Sequence, residues 1–507
     1  MAKIKINGKE IEAEEGRNLV DVAKENGFEI PHYCYHPGLS IAGQCRMCVV
    51  EQEGNPKLQV ACNMRCSEGL SVVTNSPKVE QVVQANLEFH LINHPIDCPI
   101  CDQAGECGLQ DYYMKHGKYD SQMREHKVLK EKAVDLGDKI VLDKERCILC
   151  SRCVRFTNEV SKTGDLAIFN RGDRSVIGTI DDRAMTGNYQ VNTVDICPVG
   201  ALTSKDFRFE QRVWFLDSNE SVCSGCSKGC NVYVHHKNEK HIYRLKPRYN
   251  KDINEWWMCD EGRLTYKDSN YDRRVTASQL RNIEMPAEEA LQVWASDLKT
   301  LLAMEQSDEI GVWLTAHETN ESLDAILKLF KKEFQIQKFF GPDAAQIKKE
   351  DAPADGFLLR TDRYPNTHGF LTKLQEFGVT LRGIKDLEDQ THKGNITHLI
   401  VIAPEGEKNA DELQNLSLRL RPDLFVVVLS PSLSACQLFP QGLWLPSLTH
   451  YEKTGTIFNH AGVKQTLSAG LKMFKEAHSL EFWMDGLHRV YRKPLESKQD
   501  SKMEMGQ

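Results

Sequence analysis

With 507 residues, 64 basic against 72 acidic side chains and a formal net charge of −8, the chain has room for roughly two to four domains. It carries no excess of charge that would draw it to nucleic acid or an anionic membrane surface. A 40% apolar fraction buries a core in each domain, yet no apolar run is long enough to cross a bilayer and the N-terminus has no apolar signal segment, so the chain reads as soluble and cytoplasmic. Seventeen cysteines in such a chain favour metal over a disulfide framework.

Residues 1–78 read as a small β-rich unit. Ile4 and Ile6 alternate with lysine, Asn7-Gly8 suits a tight hairpin turn and Ile11 starts the return strand. Asn18 caps a helix through Leu19, Val20, Val22 and Ala23 that Gly27 ends; strands are expected at Cys48–Gln52, Leu58–Asn63 and Leu70–Thr74. This order of elements is that of a β-grasp ferredoxin. Residues 79–215 open with an amphipathic helix (Val79, Val82, Val83, Leu87, Leu91) and are then dominated by cysteine loops, where metal must substitute for core. Another cysteine region spans 216–268. From 269 to 495 buried strands (Ile310–Thr315, Leu399–Ala403, Leu424–Leu429) alternate with helices such as Leu323–Phe334, which predicts a parallel sheet covered by helices. The polar tail, 496–507, reads as disordered. The fold class is therefore multidomain, α+β in front and α/β behind.

Fifteen of the cysteines, with one histidine, sort by spacing into four groups of four ligands. Cys147, Cys150 and Cys153, separated by two residues each, can wrap one cluster while backbone N–H groups face its sulfurs, and Cys197-Pro198 supplies the fourth thiolate; this is a 4Fe–4S pattern. Zinc knuckles would leave the middle cysteine unused. Cys34, Cys45, Cys48 and Cys62 are close in kind to the plant-type 2Fe–2S pattern without its spacing, and a zinc ribbon is the alternative. Cys98, Cys101 and Cys107 need a fourth ligand. His94 is best placed, and an imidazole there removes one negative charge from the site; Cys66, His90, Asp97 and water compete with it. The last group, Cys223, Cys226, Cys230 and Cys259, fits zinc about as well as 4Fe–4S, and the company of the other three favours the cluster. Arg46, Arg152 and Arg155 sit beside ligands, where positive charge favours a reduced cluster, or they are merely solvated. Cys66 and Cys436 read as free thiols.

Flanking residues then carry a resemblance. Cys98-Pro-Ile-Cys-Asp-Gln-Ala-Gly-Glu-Cys-Gly-Leu-Gln-Asp111 after His94-Pro resembles the histidine-containing cluster motif of the large iron–sulfur subunit of NADH:quinone oxidoreductase (respiratory complex I), called the G subunit in bacteria. Ile30-Pro-His-Tyr-Cys-Tyr-His-Pro-Gly38, Gly43-Gln-Cys-Arg-Met-Cys48, Arg152-Cys-Val-Arg-Phe156 and Asp195-Ile-Cys-Pro-Val-Gly-Ala-Leu-Thr203 look like the same family, in collinear order to about residue 265. Leu445-Pro-Ser-Leu-Thr-His-Tyr-Glu-Lys-Thr-Gly-Thr-Ile-Phe-Asn-His-Ala-Gly-Val-Lys-Gln465 is similar to a segment of molybdopterin oxidoreductases, in a shortened, degenerate form.

The resemblance implies one 2Fe–2S and three 4Fe–4S clusters forming part of an electron wire from a flavin subunit towards quinone. It implies no FMN, NADH, quinone or molybdopterin on this chain and no catalytic site of its own. Its partners would be the flavin/NADH-binding subunit and other peripheral-arm subunits, with the membrane reached only through them on its cytoplasmic side. The rivals are a subunit of a soluble NAD-linked hydrogenase, which usually ends before the fourth group, a formate dehydrogenase, which needs a molybdenum ligand not found here, and a zinc-stabilised scaffold.

Overall fold

In the computed structural model, Ala2–Ile6 (β1) and Lys9–Ala13 (β2) form an antiparallel hairpin whose inward face is Ile4, Ile6 and Ile11. The turn is Asn7-Gly8, both left-handed (φ +53° and +80°), which these two residue types adopt most cheaply. On the outer face Lys3 stands opposite Glu12 and Lys5 opposite Glu10, so the exposed cross-strand pairs are of opposite charge. The structure describes all residues except 119, 342–351, 404, 406–409, 469 and 494–507, so the polar tail at 496–507 lies outside the described residues.

The chain divides into two units, Met1–Leu216 and Asp217–Gln507. In the first, helix Leu19–Glu25 (α1) is capped by Asn18, whose side chain accepts from the Val20 N–H at 2.9 Å, and it packs Leu19, Val20, Val22 and Ala23 onto the hairpin's buried face. Val49–Gln52 (β3), Gln59–Val60 (β4) and Ser71–Val73 (β5) complete a sheet of order β2-β1-β5-β3-β4, with β1 and β5 parallel. The expected strand Leu58–Asn63 is cut short because Ala61–Asn63 winds into a 3-10 turn that buries Cys62.

Helix Pro77–Leu91 (α2) starts on a Ser76 cap with proline at its first position and buries Val79, Val83 and Leu87, one face at helical spacing. Gly108–His116 (α3) and Arg152–Glu159 (α4) follow ligand loops directly. The remaining strands of this unit are short: Val134–Asp135 (β6), Ile140–Leu142 (β7), Leu166–Phe169 (β8), Val176–Thr179 (β9) and Leu202–Ser204 (β10), in sheets β10-β7-β6 and β8-β9. Their apolar cluster includes Cys34, Cys45, Cys107, Cys150 and Cys153 among its buried members, so thiols occupy core positions.

The second unit opens with an antiparallel sheet of Asp217–Val222 (β11), Asn231–Lys237 (β12) and His241–Pro247 (β13). A hairpin, Ser278–Leu280 (β14) and Ile283–Met285 (β15), then leads into helix Ala287–Ala303 (α5). Ile310–Trp313 (β16), Lys338–Phe340 (β17), His398–Ile402 (β18), Phe425–Ser430 (β19) and Leu443–Pro446 (β20) run parallel in the order β20-β19-β18-β16-β17. The β14–β15 hairpin extends this sheet antiparallel at the β20 edge, so the sheet is mixed rather than purely parallel. The helix expected at Leu323–Phe334 is Asn320–Leu327 (α6) running into a π-helical turn, Lys328–Glu333. A second small hairpin, Gly455–Phe458 (β21) with Lys464–Leu467 (β22), precedes helix Leu480–Arg492 (α7). α5 and α7 cross closely at Gly486, where a Cβ would stand 2.7 Å from Leu291, and Trp483 and Trp294 are fully buried in the core they cover.

Candidate metal centres

Each ligand loop is aimed by backbone conformation before any metal is considered. In the first, Gly43 (φ +63°) and Arg46 (φ +56°) turn the chain between α1 and β3 so that Cys34, Cys45, Cys48 and Cys62 are all buried. The four thiols meet as two hydrogen-bonded couples, Cys34 with Cys45 and Cys48 with Cys62. In each couple the bond pulls one thiol down (Cys34, Cys62) and pushes its partner up (Cys45, Cys48), the sign of one shared proton. Arg46, exposed, adds a weaker pull on Cys62.

In the second group Cys107 caps α3, whose Leu109 and Gln110 N–H groups face its sulfur; burial pushes that thiol up to about 11, and Cys98 and Cys101 act on it as like charges. The competing ligands are engaged elsewhere. Cys66 is buried in the β1–β5 core and His90 sits against the Cys45 carbonyl at 3.2 Å. Asp97 is held bidentately by Arg146 at 3.2 and 2.8 Å. His94 is half-buried, its Nδ1 is shielded from solvent and has no hydrogen-bond partner in the structure, and desolvation holds its imidazole down to about 4, leaving it neutral at pH 7. Its charged neighbours are Asp97, Arg146 and Lys127.

In the third loop Leu149 (φ +54°) and Ser151 (φ +60°) are left-handed, a strained choice for side chains costing about 1 kcal/mol or more each, and they alternate with the ligands Cys147, Cys150 and Cys153. The Leu149 N–H points at the Cys147 sulfur at 3.4 Å, and the N–H groups of Val199, Ala201 and Leu202 face that of Cys197. The four cysteines line a small apolar cavity of about 20 Å³, together with Leu142, Ile148, Ile177 and Val199. Burial pushes Cys147 up to about 12 and Cys150 to about 11, and raises Cys153 and Cys197 as well.

These three loops are bonded to one another. Gln44 donates to the Leu149 carbonyl at 2.6 Å, tying the first loop to the third. The Gly108 N–H donates to the Pro198 carbonyl at 2.9 Å, and a Cβ on Gly200 would stand 2.4 Å from the Cys101 sulfur, so the segment after Cys197 lies flush against the second group. Tyr33, buried, has Cys45 and Cys107 both among its neighbours.

The fourth group lies in the second unit, where the β11–β12 connection carries Cys223, Cys226 and Cys230, closed by a Cys223 N–H to Cys230 carbonyl bond of 2.8 Å. Cys259 arrives on a helical turn, accepting from the Gly262 N–H at 3.3 Å. A Cβ at Gly262 would stand 2.9 Å from the Cys223 sulfur and 3.2 Å from that of Cys259, so glycine is needed there. All four thiols are buried and raised by burial, Cys223 to about 12.

Among the described residues no three histidine, cysteine or acidic side chains converge tightly enough to hold a single metal ion. The donors are soft thiols, each quartet or trio mutually interacting, with amide N–H groups turned toward the sulfurs and, at the third group, a cavity between them. That donor set fits sulfide-bridged iron.

Two residues that brace the second group went unread in the sequence. Arg146 grips Asp97, and Arg212 donates to the Cys101 and Pro99 carbonyls at 2.6 and 2.7 Å. Arg146 immediately precedes Cys147, the one local signal; Arg212 is 111 residues from its partner and gave none. The second unit likewise hides a buried charge network, with Lys453 between Glu318 at 2.9 Å and Glu405 at 3.0 Å, and Arg274 on Glu452 at 2.8 Å.

Four family models match in series. They are a 2Fe-2S iron-sulfur cluster binding domain at 1–77, the NADH-ubiquinone oxidoreductase-G iron-sulfur binding region at 84–122, the ferredoxin-like domain of NADH-quinone oxidoreductase subunit 3 at 137–203, and the NDSU1/NuoG-like 4Fe-4S domain of NADH-ubiquinone oxidoreductase at 217–267. The NADH-quinone oxidoreductase G subunit of Streptomyces coelicolor is 39% identical over 305 residues (59% of this chain, 36% of that one). That of Rickettsia conorii is 32% identical over 432 residues (78% and 64%). The 75 kDa subunit of NADH-ubiquinone oxidoreductase of Reclinomonas americana is 40% identical over 266 residues (52% and 40%). The chain thus spans between about one third and two thirds of the length of these relatives. A crystal structure of an NAD+-reducing NiFe hydrogenase in the H2-reduced state aligns with a TM-score of 0.38 at 29% identity, covering 42% of this chain and 91% of that one.

Proposed function

We propose that the iron–sulfur portion of this chain, residues 1–267, belongs to the G-subunit family of NADH-quinone oxidoreductases and that the protein is an electron-relay subunit of respiratory complex I, passing electrons from the flavin subunit towards quinone; the four family models matched in series and the G-subunit relatives support this reading. The chain carries 2Fe–2S and 4Fe–4S binding domains. Our assignment is one binuclear site at Cys34, Cys45, Cys48 and Cys62, and three cubane sites at His94, Cys98, Cys101 and Cys107; at Cys147, Cys150, Cys153 and Cys197; and at Cys223, Cys226, Cys230 and Cys259. When bound, such clusters supply single-electron uptake and release with no bond chemistry on a substrate.

The chain's own residues do the rest. The two thiol couples of the first group, Cys34 with Cys45 and Cys48 with Cys62, would supply the four thiolates that hold a binuclear cluster. The neutral His94 ring, with a free nitrogen where Cys66, His90 and Asp97 are engaged elsewhere, offers a ligand without charge. Amide N–H groups directed at the sulfurs favour the more reduced and more negative state, and together with burial that excludes water they set its potential.

The observation that carries the relay reading is the bonded contact among three ligand loops: Gln44 to Leu149, Gly108 to Pro198, and Tyr33 between Cys45 and Cys107. Isolated structural zinc sites have no need of such adjacency. We assign residues 1–78, 79–215 and 216–268 as the cluster-bearing domains and 269–495 as a shortened molybdopterin-oxidoreductase-like domain that holds no cofactor. The chain would sit on the cytoplasmic side of the membrane through its partner subunits; among the described residues no helix is long and apolar enough to cross a bilayer.

Anaerobic purification followed by iron, acid-labile sulfide and zinc analysis tests the reading. About fourteen irons per chain, two plus three times four, are expected, and stoichiometric zinc in their place would refute it. Without a flavin subunit the chain is expected not to oxidise NADH. His94→Ala is expected to alter one cubane's low-temperature EPR signal alone; an unchanged spectrum would move that ligand role to another residue.

A further inference from the structure

One face of α4 grips the first ligand loop. Arg152, Arg155 and Glu159 stand at helical spacings of three and four. Arg152 donates to the Tyr35 carbonyl and, at 3.1 Å, to that of Ile196, next to Cys197. Glu159 accepts from the Ser40 N–H at 2.9 Å and from its hydroxyl. Arg155, between them, is forked. One guanidinium nitrogen donates to the Ser40 carbonyl, the other to the Cys34 carbonyl at 2.5 Å and the Cys150 carbonyl at 3.4 Å, while Nε is fixed by the Ser151 hydroxyl at 3.2 Å.

One cation therefore touches the backbone of a ligand of the first group and of a ligand of the third, 116 positions apart in the chain (Cys34 to Cys150). Its field acts on both sulfurs, and the neighbouring Arg152 acts on Cys34, Cys150 and Cys197. Arg46, by contrast, faces solvent and reaches the first group alone through Cys62. A positive charge held by four acceptors cannot swing to solvent, so it acts on both sites continuously.

We infer that Arg155 is a positioning residue shared by the first and third groups, locking their two loops together and raising the reduction potentials of both sites in step. The inference rests on the cluster assignment above. It predicts that the two sites respond jointly to one substitution, whereas charges local to one loop shift one site only.

The experiment is an EPR-monitored redox titration of the assembled complex carrying Arg155→Gln, with iron and sulfide counted first. Both the binuclear signal and the third group's cubane signal are expected to shift down together, by roughly tenfold in the reduced-to-oxidised ratio at fixed potential, which is 59 mV for a one-electron couple. The His94 group and the fourth group should stay in place. A shift at one site only, or at neither, with iron and sulfide intact, would overturn the inference while leaving the cluster assignment standing. Failure to find iron in the unaltered protein would instead strike the assignment itself. Should Arg155→Gln lose either cluster, Arg155→Lys decides, since it keeps the charge and gives up the fork: both potentials must stay within tenfold of the unaltered protein and any shift must be shared by both sites, whereas a shift confined to one site, or one of tenfold or more, would overturn the inference. Arg46→Gln, as control, is expected to move the binuclear site alone.

Discussion

The two units of this molecule solve the problem of a core in opposite ways. Asp217–Gln507 is built around a seven-stranded sheet whose strands β16, β18 and β19 are almost continuously buried and whose helices α5 and α7 cover it with tryptophan, leucine and phenylalanine. Met1–Leu216 has only short strands, and around its ligand loops five thiols count as core members beside Tyr33, Met47 and Leu109. The sheet core of the second unit rests on hydrophobic burial alone, whereas the core around the ligand loops of the first must also hold buried thiols and left-handed loop residues. With the proposed clusters bound, the metal would add cohesion to the ligand loops of the first unit, where thiols take the place of apolar side chains.

The comparison is broken or sharpened first by removing iron. Chelation under reducing conditions is expected to abolish amide protection across Cys34–Cys62 and Cys98–Cys197 while β16, β18 and β19 keep theirs; equal loss in both units, read by hydrogen exchange, would dissolve the contrast. The next largest effect belongs to the sheet unit. Trp483→Ala removes a fully buried indole whose N–H donates to the Pro446 carbonyl at 3.1 Å, and should cost about 3–5 kcal/mol of that unit's stability without changing the iron count of the first three groups.

Acid provides a third test. His317 and His450 are buried in the sheet unit, which holds them down to about 3 and about 4, below the ordinary 6.5. The unfolded chain takes up protons as pH falls through 6.5, and the folded unit does not until near pH 4. Stability of this unit should therefore fall across that window, by about 1.4 kcal/mol per pH unit for each histidine, as denaturant titrations at stepped pH would record. The smallest expected effect is Asn18→Ala, which removes both the α1 cap and the 2.7 Å bond from the Asn18 amide to the Cys62 carbonyl; about 1–2 kcal/mol is expected in thermal melts of the iron-loaded protein.

Legibility in the sequence followed the range of the interaction. Asn7-Gly8, the Asn18 cap and the Ser76-Pro77 helix start depend on neighbours within a few residues, and their turn chemistry is written in the residue types themselves. Ligand spacing is legible for the same reason, since a loop such as 147–153 turns within seven residues. The strand expected at 58–63 is shorter in the structure because the residue pattern there does not encode the 3-10 turn that buries Cys62. Nothing local distinguished the π-helical turn at Lys328–Glu333, or the attachment of β14–β15 to the edge at β20, a pairing more than 160 residues away. The buried network of Lys453, Glu318 and Glu405 was unreadable because charged residues ordinarily signal surface, and only tertiary pairing makes their burial tolerable.

Cys436 sits on the short helix after β19, fully buried in an apolar cluster of aliphatic and aromatic side chains, and burial raises its thiol far above the neutral range. Once iron engages the sixteen assigned ligands, this sulfur and Cys66 are the two left to ordinary thiol chemistry, one in each unit. An alkylating reagent can reach either only when its surroundings open, so the pair forms a built-in clock: the rate at which each takes a label, resolved by peptide mass, reports how often each half of the molecule breathes.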